Sequence, residues 1–315
     1  MSDAQPPDAG PVSRVAISGV FLVDKPRGMT SHDVVARMRR ILREKKIGHA
    51  GTLDPMATGL LVVLVREATK LEPYLAKVDK TYDATLTLGR STSTFDAEGE
   101  TTEEAPFDAE LLRDLTRLRA ALDVEIARTE QIPPAHSAIH VNGTRSYELA
   151  RKGIDVELPA RAVSIRSLSA PTVDAAAGTI SLTMTVAKGY YVRSFARDVG
   201  NSLGTPLHLS GLRRTACSAL SIDRATPLES TRDVHVAAAR SLTEALRDCG
   251  VELIAVDEET ALRVRQGKSF HVDASSTGSA IGIVEGSGGL LAMAEVRGEA
   301  FHVLRGFDPR AILRA

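Results

Sequence analysis

Fourteen residues constrain this chain more than any others: Lys46-Ile47-Gly48-His49-Ala50-Gly51-Thr52-Leu53-Asp54-Pro55-Met56-Ala57-Thr58-Gly59. They hold three glycines, a proline, a histidine and one carboxylate, directly before the apolar run Leu60-Leu61-Val62-Val63-Leu64-Val65. Glycine admits positive φ and close backbone approach, so the segment reads as a shaped loop feeding a buried strand. Asp54 stands between Leu53 and Pro55. An ordinary Asp-Pro turn accounts for it, and so does a carboxylate used in chemistry. Spacing alone leaves both readings open.

The rest of the chain sets bounds. Its 315 residues suffice for one large domain and a small one. Residues 1–18 are polar and contain prolines, and they lack the apolar core of a signal peptide. Most of them read as a disordered tail. No apolar run approaches a membrane span. Cys217 and Cys249 are the only cysteines, which provides no disulfide framework and no zinc pair and fits a cytoplasmic protein. The net charge of −1 argues against a strongly basic nucleic-acid binder. Its distribution argues the other way. Lys25, Arg27, Arg37, Arg39, Arg40, Arg43, Lys45 and Lys46 face only Asp33 and Glu44, while residues 96–130 are acidic. Such a stripe is a solvated helix face or a phosphate contact.

Pattern predicts a strand over 19–24, a helix capped by Thr30 or Ser31, a strand over 60–65 and an alternating strand over 81–88. Residues 89–106 read as a long polar loop, and helical spacing begins near Phe107. Asn142-Gly143 is a turn signal before a short helix. Strands are expected over 179–186 and 207–218, with a helix over 192–203 stopped by Gly204-Thr205-Pro206 and another near 236–248. From about 251 to 315 the composition turns Gly/Ser-rich and strand-like. That stretch reads as a separate small β-rich domain, with strands expected over 280–284, 290–297 and 300–304.

Several motifs recur in a fixed order. Gly19-Val20-Phe21-Leu22-Val23-Asp24-Lys25-Pro26 precedes the Asp54 segment. Lys80-Thr81-Tyr82, Gln131-Ile132-Pro133-Pro134, Tyr147-Glu148-Leu149-Ala150-Arg151 and Lys188-Gly189-Tyr190-Tyr191-Val192-Arg193 follow it. From about residue 18 to 220 the chain resembles the TruB-type tRNA pseudouridine synthases. The resemblance implies an α+β catalytic domain over 19–250 on a mixed, largely antiparallel sheet. It also implies an RNA-clasping thumb at about 131–155 and a PUA-like C-terminal domain over 251–315.

The chemistry it implies is isomerisation of uridine to pseudouridine at position 55 in the tRNA T arm, with no cofactor and no metal. The base must leave the stack to be reached. Asp54 is then the catalytic carboxylate, with Arg193 beside it as a bidentate partner that keeps its charge when buried. Tyr82 stacks on the flipped base and can move a proton late. Tyr191 lines the pocket, although Gly189-Tyr190-Tyr191 departs from the family's usual Gly-Thr-Tyr. His49, in a loop, fills the space the flipped bases vacate. Leu212 packs on the base, and Lys25 and Pro26 support the loop. His136 and His140 stand where the family carries an aromatic residue and a lysine, which implies a weaker grip by the thumb. The expected partner is tRNA, bound by a stand-alone monomer. A guide-RNA-dependent dyskerin-type enzyme and a non-catalytic tRNA-binding or folding protein are the competing readings.

Overall fold

The computed structural model describes residues 18–106, 109–137, 139–141, 143–150, 152–154, 158–271, 280–298 and 300–308. The expected tail lies outside them except for Ser18. That residue is fully buried, and its hydroxyl donates to the Val65 carbonyl and accepts from the Glu67 amide.

Among the described residues, ten strands form one twisted sheet. Its main path runs Ile165–Leu168, Thr179–Val186, Lys80–Leu88, Leu207–Cys217, Thr58–Val65, Gly19–Lys25 and Thr226–Pro227. Three short strands attach to it: Ile47–Ala50, Thr172–Asp174 and Leu220–Ser221. Two pairings are parallel, Gly19–Lys25 with Thr226–Pro227 and Leu207–Cys217 with Thr58–Val65; the others are antiparallel. The Thr58–Val65 strand is buried almost throughout, as an unbroken apolar run requires. Lys80–Leu88 alternates instead, with Tyr82, Ala84, Leu86 and Leu88 turned into the core.

Helix Ser31–Leu42 begins in a capping box, Thr30 and Asp33 each satisfying the other's backbone amide. It buries Val34, Val35, Met38 and Leu42. Arg39, Arg40, Arg43, Lys45 and Lys46 remain exposed beside it. Helix Val192–Leu203 ends at Gly204, whose φ of 70° makes the left-handed cap that only glycine adopts without strain. Helix Leu115–Ala127 packs against it through Leu118, Ala121 and Leu122.

Two readings of the sequence need correction. Residues 89–106 are not a bare loop, because Arg90–Thr92 pairs with Thr101–Glu104 as a hairpin. Its strands are short and polar, which gives no periodicity to detect. The C-terminal sheet has four strands rather than three. Leu253–Val256 adds to Ile281–Glu285, Leu290–Arg297 and Ala300–Gly306, and helix Glu258–Arg265 covers them. Leu290, Met293 and Phe307 reach past this sheet into a cluster with Val20, Leu22 and Leu246. Lys70 ties the ends together, donating to the Gly306 carbonyl at 2.9 Å. Among the described residues no helix is long and apolar enough to cross a membrane.

Candidate active site

The Asp54 loop is pinned on both flanks by cations that donate to backbone carbonyls. Lys25 is fully buried, and its ammonium donates to the carbonyls of Pro26 (3.0 Å), Met29 (2.6 Å) and Pro55 (3.3 Å). Burial lowers its pKa to about 8, against the opposing pull of Glu98 and Asp54. Pro26 is exposed and enters this network only through its carbonyl. On the other flank, buried Arg214 donates to the carbonyls of Gly51, Thr52 and Leu60. Ser31, the first helical residue, accepts from the Leu53 amide and donates to the Leu53 carbonyl. Gly59 closes the loop where its chain and the backbone of Arg214 nearly touch.

Asp54 and Arg193, 139 positions apart in number, meet here, with Arg193 Nε 2.9 Å from Asp54 Oδ2. The carboxylate side chain is 36% exposed and the guanidinium side chain 7%. The pairing is not the expected two-point fork. Arg193 Nη2 donates to the His136 carbonyl (2.9 Å) and Nη1 to the Thr94 carbonyl (3.3 Å). Nε is the nitrogen that faces the carboxylate, and its N–H is not aligned for a hydrogen bond. The contact is therefore charge on charge.

A second carboxylate, Asp96, lies 3.6 Å from the same Nε and is 3% exposed. It also accepts from the Thr94 hydroxyl and the Glu98 amide. Sequence reading missed Asp96, since one acidic residue in a polar stretch rich in them carries no signal. Glu98 beside it has its pKa raised, by burial first and then by Asp96 and Asp54.

Tyr82 is 8% exposed and lies across the strand pair from Arg214. Burial raises its phenolic pKa, while the charge of Arg214 and a hydrogen bond from it act the other way. The two neighbouring tyrosines separate cleanly. Tyr190 points into the core beside Glu125 and Asp198, whereas Tyr191 is half-buried and senses Arg193 and Asp54. The Tyr191 amide donates to the Gln131 side chain, and Ser194 donates to the Ile132 carbonyl, so the Gln131-Ile132 segment is bound to the helix bearing Arg193. Strands Glu130–Gln131 and Arg161–Ala162 pair at the base of the intervening insertion. That insertion carries a hairpin, His140–Val141 with Thr144–Arg145, and helix Ser146–Ala150.

His49 sits on strand Ile47–Ala50, paired with Val63, rather than in a loop. It is half-buried with Nδ1 unpartnered, and the His32 ring meets it edge-on at 5.6 Å. Burial first, then His32 and Arg214, lower its pKa to about 4, so the ring is neutral near pH 7.

Leu212 is half-buried opposite Ala84 and lines a groove of about 520 Å³ with Arg27, Met56, Asp83, Thr183 and Arg213. Asp54, Tyr82 and Arg193 do not line this groove. Charge, burial and a partly open carboxylate coincide at the ion pair and not in the groove.

The fold is shared with proteins of known structure. It matches a chain of an H/ACA RNP bound to a substrate RNA containing 2'-deoxyuridine, with a TM-score of 0.68 and 20% identity over 94% of this chain and 87% of that one. An archaeal box H/ACA sRNP Nop10-Cbf5 complex matches at 0.66 with 21% identity, over 98% and 91% of the two chains. At that identity the likeness concerns fold alone. In sequence, the TruB family pseudouridylate synthase (N terminal domain) profile matches residues 39–192. A tRNA pseudouridine synthase B of Mycobacterium sp. (strain KMS) is 47% identical over 217 residues, 68% of this chain and 72% of that protein. One of Corynebacterium aurimucosum is 42% identical over 284 residues, 87% and 94% of the two chains. The chain belongs to the TruB family of pseudouridine synthases, which are isomerases.

Proposed function

We propose that this enzyme isomerises uridine to pseudouridine at position 55 in the T arm of tRNA, as a cytoplasmic monomer that needs neither cofactor nor guide RNA. The observation that carries this reading is the partly open Asp54 carboxylate held on Arg193, beside buried Tyr82, in a chain 47% identical to a tRNA pseudouridine synthase B.

In the reaction the N1–C1′ bond breaks, the uracil turns, and C5 bonds to C1′. The C5–H bond then breaks, its electron pair forms C5=C6, and N1 gains a proton. No redox change occurs. Asp54 opens the detachment, as nucleophile at the sugar or as base at the C2′ proton. Arg193 sets its position, with Asp96 behind it. Tyr82 offers a ring to stack on and a phenolic oxygen for the late proton. Tyr191 borders the base pocket, Leu212 packs on the base, and neutral His49 fills the space left by flipped bases. Lys25 and Pro26 hold the loop. Residues 131–155 act as the thumb, and the exposed arginines and lysines at 39–46 contact phosphate. The C-terminal sheet serves as a PUA-like domain.

The test is an unmodified tRNA transcript incubated with wild type or Asp54→Asn and no other macromolecule, with binding measured for both. Pseudouridine at the T-arm uridine from wild type alone, with binding retained by Asp54→Asn, is expected. Tight binding without product from wild type overturns the reading in favour of a guide-dependent or folding protein.

A further inference from the structure

Arg214 is among the largest fully buried side chains of the molecule, and among the described residues it has no ion-pair partner. An isolated buried charge is costly unless hydrogen bonds satisfy it. Here three carbonyls do so: Leu60 at 2.7 Å from Nε, Gly51 at 3.0 Å from Nη2 and Thr52 at 3.3 Å from Nη1. Two of these lie in the segment leading to Asp54, and the third lies in the strand after it. Tyr82 is directly across the strand pair from Arg214, and the charge of Arg214 acts on its phenol. A carbonyl keeps its charge through a reaction, whereas a phenolic oxygen can gain or lose a proton.

Resting on the functional reading above, we propose that Arg214 is a positioning residue that ties the Asp54 loop to Tyr82 and readies the phenolic oxygen to take the C5 proton. In that step the C5–H bond breaks and its electron pair forms C5=C6. The Tyr82 phenol first gives its own proton to solvent. The phenolate oxygen then takes the C5 proton, the N1=C6 electron pair moves onto N1, and N1 takes up a proton from solvent, so no electrons leave the base. A fixed, desolvated cation beside the oxygen stabilises negative charge developing there and needs no reorganisation as it develops. Asp24 neutralises the adjacent Arg213 through two hydrogen bonds on the other side of the strand, so Arg214 alone presents an uncompensated charge to Tyr82.

The test is a double-mutant cycle of Arg214→Lys and Tyr82→Phe in single-turnover reactions, on tRNA carrying hydrogen or deuterium at C5 of the target uridine. Arg214→Lys is expected to slow product formation roughly 10²-fold, the scale of losing one preorganised donor. It should enlarge the C5 isotope effect over wild type and leave tRNA binding unchanged. In the Tyr82→Phe background the same substitution should cost little more. Equal slowing in both backgrounds, or an isotope effect that stays at the wild-type value, reduces Arg214 to an anchor for the loop and overturns the proposal. Tyr82→Phe keeps the buried ring and carries the test even where Arg214→Lys does not fold. An isotope effect no larger than wild type in Tyr82→Phe leaves no proton transfer for Arg214 to serve, and the proposal falls. Absence of pseudouridine from wild type is a different result, and it sinks the functional reading itself.

Discussion

Gly59→Ala tests how tightly the Asp54 loop is locked to the sheet. Gly59 has φ +99°, and a Cβ built there lies 2.3 Å from the carbonyl oxygen of Arg214 and 2.8 Å from its nitrogen. The obstacle is backbone in the middle of a sheet, bonded to Lys80–Leu88 on one side and to Thr58–Val65 on the other. It cannot swing aside as a side chain tip can. Left-handed backbone at a non-glycine residue costs about 1–3 kcal/mol, and overpacking a rigid site adds about 1–3 kcal/mol. At roughly 2 °C per kcal/mol for a chain of this size, the melting temperature should fall by roughly 4–12 °C.

Gly28→Ala is the control. Gly28 also has positive φ, at +84°, but a Cβ there meets nothing within 4 Å, so only the conformational part applies. Calorimetry of both variants, with single-turnover rates on tRNA, separates the two contributions. The Gly59 variant should also lose activity, because strand and loop must part at the residue holding Tyr82 and Asp54 together. A Gly59→Ala protein that melts no lower than Gly28→Ala refutes the argument.

Three further outcomes follow from buried groups. Lys25 carries its lowered pKa of about 8 only when folded, against 10.5 in an open chain. Between those values the unfolded state binds more protons, so stability from this group rises with pH across the window. Lys25→Met should lack that rise, and a urea-midpoint difference from wild type that stays constant from pH 8 to 10.5 counts against it. The lowered pKa of His49, about 4 against 6.5, has the same sign in a lower window. Its contribution is complete above pH 6.5 and is lost as pH falls toward 4, and an NMR titration of its ring with a midpoint near 6.5 contradicts the neutral assignment. The Tyr190 hydroxyl is buried with no hydrogen-bond partner among the described residues, and the Gln131 side-chain nitrogen is unpartnered there as well. Tyr190→Phe should therefore match wild type in activity and melt no lower, and a loss of more than roughly 1 kcal/mol would point to a hydrogen bond the structure lacks.

Much of this protein was legible along the chain. Helix Val192–Leu203 and its stop at Gly204 follow from apolar spacing and one glycine, both local signals. The capping box at Thr30 and the alternation of Lys80–Leu88 are local in the same sense. The resemblance to the TruB family implied Asp54 and Arg193 as partners across a long sequence separation. What the chain could not disclose depends on neighbours brought by folding. Arg213 and Arg214 are neighbours in the sequence, yet successive strand residues face opposite ways. One therefore meets Asp24 near the surface and the other is fully buried against Tyr82 and the loop carbonyls. Asp96 looked like one acid among many until the hairpin at 90–104 carried it to Arg193. The fork expected between Arg193 and Asp54 is a single contact from Nε, while the other two nitrogens turn toward the carbonyls of Thr94 and His136. The sequence by itself determined most of the helices and long strands and marked Asp54 and Arg193 as partners. Tertiary structure decided which charges lose their water and what they touch, since desolvation and contact belong to an environment assembled from distant segments.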